Sequence, residues 1–523
     1  MTHANPQTDA VVPKAQYDAL QCQLQTQSEQ IAQLTEQLDW FKRQLFGVKS
    51  EKSAPIDTDQ SVLFERPTPV NGEQPEQTVP AHTRRKRRSG DEVNDTGLRF
   101  DPSVPVRTIR LSCPELDGPQ ADEFEVIGYK TSQRLARQPG SHVVLQFERP
   151  IIRHKPSAQL TTTPAPIGVL DHAQVDVSLL AGLLIDKFVY HLPLYRQHQR
   201  LADEGITVAR QTLLNWASQA IELVGPIAKA VQALILSGSH IKVDETPIKA
   251  GRAKTQAGRG KMKQGWLWPV LGEHGDIAFS YSSQRGSAVV KALLGEQFAG
   301  TIQTEGYSVY ADYAARLPQC THALCWAHTR RTFIKAQDSE PARIDHALQM
   351  IQAIYRIERD LRDKAANADA IIATRQRDTE PIVDQFFAWV NEQIQDPSLL
   401  PKSPLAKALN YARQREAGLR VFINDAWLAP DTNDLERALR VIPMGKKNWM
   451  FCTTEMGARH VAIIQTLLAT CRAHSTDPYT YLVDVLQRIN QHPANEIQDL
   501  TPRKWAQQFA DNPIKSDLNG LMQ

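Results

Sequence analysis

The sequence predicts a multi-domain α/β protein, and three observations carry that expectation. The chain has 523 residues, too many for one hydrophobic core and enough for roughly three or four domains. Apolar and polar residues alternate, with the period of a half-buried strand, at 106–153, and strand-like runs with turn residues between them recur between 239 and 324. Long helical stretches lie around them, such as IDHALQMIQAIYRIERDLRD, where apolar residues return every three or four positions.

Composition narrows the class. Hydrophobic residues at 41% and charged residues at 23% describe an ordinary water-soluble chain. No apolar run approaches the ~18–20 residues of a membrane helix, and the amino terminus lacks the layout of a signal peptide, so no membrane partner is expected. Six cysteines (22, 113, 320, 325, 452 and 471) are scattered without a C-x-x-C pair, which fits a reducing cytoplasm. A net charge of +2 gives no global field for a polyanion. The placement of the cations matters more.

The elements follow in order. Residues 1–50 are expected to form an oligomerisation helix. Tyr17, Leu24, Ile31, Leu38 and Leu45 share one heptad position, and Leu20, Gln27, Leu34 and Phe41 another. Such a repeat over 15–46 keeps one seam facing a partner helix, hence self-association through a coiled coil. The alternative is an amphipathic helix docked on its own domain. Residues 51–105 read as a basic disordered linker, because Arg84, Arg85, Lys86, Arg87 and Arg88 repel one another and suit phosphates. Residues 106–155 read as a small β-rich module, followed by a second linker, KPSAQLTTTPAP. Within 156–235, LYRQHQRLADEGITVARQTLLNWASQA has a helix, a turn at Gly205 and a second helix. That is helix-turn-helix grammar, and it would offer Arg210, Gln211, Thr212 and Asn215 to a major groove. A plain helix pair is the other reading.

In the first core segment, 236–334, IKVDETPI, GWLWPVLG and DIAFSYSS read as three successive strands. SAVVKALLGEQF is then a helix, GTIQTEG a strand, and CTHALCWAH a strand running into a helix. That order is the order of a ribonuclease H-like fold. Residues 335–424 read as a helical insertion, 425–452 as the last core helix, and 453–523 as a C-terminal helical region. The segment GRAKTQAGRGKMKQ (251–264), with five cations, reads as a mobile loop and a plausible DNA contact, with a plain solvated loop as the alternative.

Three acids stand in comparable places. Asp244 ends the first strand, Glu305 ends the fourth, and Glu436 lies in the helix after the insertion. First and fourth strands are neighbours in that fold, so distant carboxylates converge. Carboxylate oxygens suit Mg²⁺, and two such ions would stabilise both the attacking and the leaving oxygen of a phosphodiester displacement. Arg440 lies one turn beyond Glu436, with Arg437, Lys446 and Lys447 nearby, as phosphate ligands. The bland alternatives are a solvated turn at Asp244-Glu245 and a capping box from Asn433 to Glu436. Cys320, His322, Cys325 and His328 invite a zinc site, but a strand and a helix entry separate them. The expectation is no zinc, with His328 and Arg331 projecting toward the carboxylates or a phosphate.

The chain resembles the bacterial transposases of the insertion-sequence-66 family. LFGVKSEK (45–52), VDETPI, TEGYSVY, CWAHTRR, DTNDLERALR, GKKNWMF and the block MGARHVAIIQTLLATCRAHSTDPYTYLVDVL follow in that family's order. The resemblance implies a DDE-type transposase, with Asp244, Glu305 and Glu436 at the three metal-binding positions and Cys325 and His328 at a C-x-x-H element. It implies DNA partners (terminal inverted repeats and target), a place at the bacterial nucleoid, and small accessory proteins of the same element. Two departures stand out. Glu305 replaces the family's aspartate, with Asp312 as a weaker substitute. Only Cys113 remains of a cysteine-rich module, so that module is a degenerate zinc-binding domain and is expected to fold without zinc. The rival readings are an inactive transposase-derived DNA-binding protein and a ribonuclease H-like structure-specific nuclease.

Overall fold

A computed structural model describes residues 98–520, except 139, 172, 256, 257, 450 and 451. The coiled coil expected over 15–46 and the cations Arg84 to Arg88 lie outside the described residues. The mixed α/β class holds. Twelve named strands occur among the described residues: β1 Arg99–Phe100, β2 Val106–Arg110, β3 Phe124–Gln138, β4 Ser141–His154, β5 Leu160–Thr162, β6 Ile206–Thr207, β7 His240–Val243, β8 Thr246–Thr255, β9 Gly258–Gly272, β10 Ile277–Ser282, β11 Gly300–Thr304 and β12 Cys320–Leu324.

The amino-proximal sheet has the order β2-β4-β3, and β5 pairs with the far end of β4, beyond β2. Here the structure corrects the second expected linker and, over the described residues 98–105, the end of the first. Leu160–Thr162 pairs with β4, and Leu98 and Val104 are buried. Phe100 pairs with Ile206, so the turn between helices Leu194–Asp203 and Arg210–Leu223 is a short strand held by β1. Gly205 takes φ +79° there, a left-handed conformation that glycine adopts at no steric cost.

Within the 27-residue stretch Arg210–Leu236, one 18-residue window reaches a mean hydropathy of 1.3, which meets the length and composition of a membrane span. The stretch is two helices, Arg210–Leu223 and Gly225–Leu236. Leu213, Trp216, Ile221, Ile227 and Val231 on it are buried in the main core.

The larger sheet has the order β10-β9-β7-β11-β12, with β8 off the path on β9. β7 runs antiparallel to β9 and parallel to β11, and β11 runs parallel to β12. Helix Glu455–Ala473 covers the β10 edge. Thr466 and Thr470 accept from the N–H groups of Phe279 (2.8 Å) and Ile277 (3.0 Å), which satisfies an edge that would otherwise be open to another chain. The described residues of 251–264 are not a loop but the arms of a hairpin. β8 pairs with β9 from Thr246↔Leu267 outward, with register shifts between Lys249 and Arg252 and between Arg252 and Lys254.

Residues 341–424 are helical and have their own core, in which Ile351, Ile354, Phe386 and Leu409 are buried. Trp326 joins this core to the sheet. It stacks edge-on against Phe386 at 5.3 Å, and its Nε1 donates to Leu419 O at 2.9 Å.

Candidate active site

The parallel pairing of β7 and β11 sets the site. Gln303 lies opposite Lys242, so two residues further along each strand Asp244 and Glu305 emerge at the same level. Carboxylate oxygens of Asp244, Glu245 and Glu305 lie within 4.8 Å of one another. Asp244, Glu245, Glu305, His328, Arg331 and Glu436 line one cleft of about 250 Å³. Arg440 lines it as well.

Glu436 reaches the cleft from helix Asn433–Leu439, whose N-cap is Thr432 with no side-chain cap bond. The capping-box alternative is therefore not realised. Its carboxylate instead meets His328 Nε2 at 3.4 Å and Arg331 Nη2 at 3.2 Å. His328 Nε2 also lies 2.8 Å from Glu305, so one imidazole joins two of the three acids.

The electrostatics follow from burial among like charges. Burial, and then the charge of Glu305, push the Asp244 carboxyl up to about 8. Its neighbour goes the other way, because the hydrogen bond with His328 lowers the Glu305 carboxyl. Burial works against charge on His328, but Cys325 and Glu305 outweigh it and raise the ring to about 10. His328 Nδ1 itself has no hydrogen-bond partner of good geometry among the described residues. Oxygen donors crowded in this way suit a hard divalent cation.

The other expected ligands fall in several places. Asp312 is exposed and does not line the cleft. Arg437 and Lys447 lie on the helices that follow the insertion, and Lys446 Nζ donates to Pro247 O at 2.6 Å. Arg210 lies over the Tyr195 ring at 4.8 Å, and Gln211 donates to Asn215 at 2.8 Å, all on the exposed face of their helix. Of the four zinc candidates, Cys325 and His328 interact with each other. His322 meets Thr304 Oγ1 at 2.9 Å, and the Cys325 sulfur accepts from Thr432 N at 3.4 Å.

Sequence reasoning passed over Glu245 as a functional group. Its side chain is almost fully buried. Arg285 Nε donates to it at 3.0 Å and Tyr310 OH at 2.8 Å, and Arg285 lies over Tyr307 at 4.2 Å and over Trp266 at 4.8 Å. The Asp-Glu doublet was the available signal, but nothing periodic points from it to Arg285.

A mixed sheet that gathers acids from two parallel strands and a later helix is the frame of a transposase-type enzyme. Residues 172–460, more than half of the chain, match the family described as Transposase IS66 family. The chain belongs to that family. Residues 466–503 match the IS66 C-terminal element, and residues 33–98 match Transposase C of IS166 homeodomain. Relatives from Sinorhizobium fredii (strain NBRC 101917 / NGR234) are similar over most of their length. Uncharacterized protein y4qI is 29% identical over 502 residues, covering 91% of this chain and 89% of that protein. Uncharacterized protein y4jD is 27% identical over 504 residues, covering 91% and 95%. Membership in a family of DDE transposases implies the use of a divalent metal.

Proposed function

We propose that the protein is a DNA transposase that cuts the ends of an insertion sequence and joins them to target DNA, with a ribonuclease H-like catalytic domain. The observation that carries this reading is the meeting of Asp244, Glu305 and Glu436 around one cleft. The sheet order, with β7 antiparallel to β9 and parallel to β11, supports the fold assignment.

Asp244, Glu305 and Glu436 would hold two Mg²⁺ ions, which supply Lewis-acid charge to the attacking and leaving oxygens. The protein's own groups do the rest. His328 holds Glu305 and Glu436 in place through Nε2. Arg331 and Arg440 line the cleft and bind the phosphates of the strand that enters it. In the first step a water oxygen bonds to phosphorus, the bond from phosphorus to the element's 3′-oxygen breaks, and a 3′-OH is released. In the second, that 3′-oxygen bonds to a target phosphorus and displaces the target's own 3′-oxygen. Arg210, Gln211 and Asn215 on the exposed helix bind the terminal repeats, together with the cations at 84–88. Self-association through 15–46 and contact with accessory proteins belong to the same reading.

The test is strand cleavage and joining on DNA that carries the element's terminal repeats, with Mg²⁺ present. Cutting followed by joining is expected. Cutting without joining would favour a structure-specific nuclease, and binding without cutting an inert DNA-binding protein. Full activity of Glu436→Gln would remove the three-acid assignment.

A further inference from the structure

We infer that the β8–β9 ribbon is an arm that enters the major groove of duplex DNA beside the cleft; this rests on the reading that the protein acts on DNA. From residue 246 to residue 272 the sequence contains six cations and no acid, in a chain whose net charge is only +2. β9 pairs with β10 or β7 over 266–272, but from Gly265 outward its partner is β8 alone. The ribbon therefore leaves the sheet, by roughly 20 Å at the rise of an extended strand.

Its base is anchored. Lys249 O accepts from Cys452 N at 2.9 Å, and Gly251 N donates to Cys452 O at 3.1 Å. Thr246, where the ribbon starts, directly follows Asp244 and Glu245, so its direction is tied to the cleft.

The cations occupy both faces. Cross-strand partners share a face, and successive residues alternate. Lys249 pairs with Gln264 and Arg252 with Met262, which puts both cations on one face. Lys261 and Lys263 alternate with those partners and take the other. All four are exposed, and the acid paired with one of them is Glu455, 3.5 Å from Lys263. A flat acidic partner would need cations on one face only. Cations on both faces suit a slot whose two walls are negative, as a duplex groove is. Two strands about 4.8 Å apart with their side chains fit a major groove about 12 Å wide and not a minor groove of about 6 Å.

The experiment uses the full chain, a mixed-sequence duplex, and affinity measured across salt concentrations. It compares wild type with a variant carrying K249Q, R252Q, K261Q and K263Q, and with a charge-preserving variant carrying K249R, R252K, K261R and K263R. The neutral variant should flatten the slope of log affinity against log salt by roughly three to four and lose protection of guanine N7 from methylation. The charge-preserving variant should keep both. If wild type binds while the neutral variant matches its slope and protection, the arm is refuted and the DNA reading stands. The arm is refuted too if the neutral variant aggregates with its DNA affinity unchanged, since the cations would then only guard a strand edge. If wild type binds no DNA, both readings fall.

Discussion

Two buried charge clusters in this molecule are built in opposite ways. In the helical insertion, Glu358 and Arg375 are almost fully buried. Arg375 donates to both Glu358 oxygens, at 2.7 and 2.8 Å, and to the carbonyls of Phe422, Asp425 and Leu428 at 2.7–2.9 Å. Its five N–H donors are all used. In the cleft, Asp244, Glu245 and Glu305 crowd three carboxylates into 4.8 Å, and only Glu245 has a full set of donors in Arg285 and Tyr310. A cluster that completes itself ties the insertion to the returning chain. One that leaves like charges together is costly to fold and ready for a cation.

Breaking each cluster should give different outcomes, and the largest is in the cleft. Asp244→Asn or Glu436→Gln should lower strand cleavage by about 10²–10³-fold, measured on terminal-repeat DNA, while the melting temperature stays level or rises. Next, Glu358→Ala should destabilise the protein by about 3–5 kcal/mol by leaving Arg375 buried and unpaired. Chemical denaturation would measure this, and replacing both partners with apolar residues should recover most of the loss. If Glu358→Ala cost nothing, the insertion's cluster would not be a structural tie.

A change of pH separates the clusters further. The folded value for Asp244 is about 8 against an ordinary value of 3.8, so the folded state holds that proton more tightly than the unfolded chain. Stability from this group is present at low pH and is lost as pH rises from about 4 to about 8. In protein stripped of metal by chelation, the melting temperature should fall by roughly 5 °C across that window. Asp244→Asn, or added Mg²⁺, should flatten the fall. A melting curve with the opposite trend in the chelated protein would contradict the crowding of charge.

The smallest effect is at Glu305. Its carboxylate touches His328 at 2.8 Å, so the longer side chain is in use, and Glu305→Asp should lower cleavage roughly 10-fold by misplacing an oxygen. A large gain would instead mark a decayed site and favour the inert DNA-binding reading.

Much of the site was legible because strand ends are local signals. Asp244 and Glu305 follow short β-type runs, and parallel neighbours bring such ends together. Glu436 was legible only as an acid in a helix with arginines, and its facing toward His328 and not toward a cap needed the structure. The segment 251–264 was misread because its glycines and cations resemble a loop, whereas pairing across the hairpin makes it a ribbon. Leu160–Thr162 was misread for a similar reason, since a three-residue strand is held by its partner and not by its own period.

The sequence by itself determined the mixed α/β class, the helical character of the insertion and the acids at two strand ends, because periodicity and chain order are written locally. Only the tertiary structure decided that His328 joins Glu305 to Glu436, that Arg285 and Tyr310 hold Glu245, and that Arg375 completes Glu358. Those contacts join residues apart in the chain, and their energies come from burial and geometry that exist only once the chain has folded.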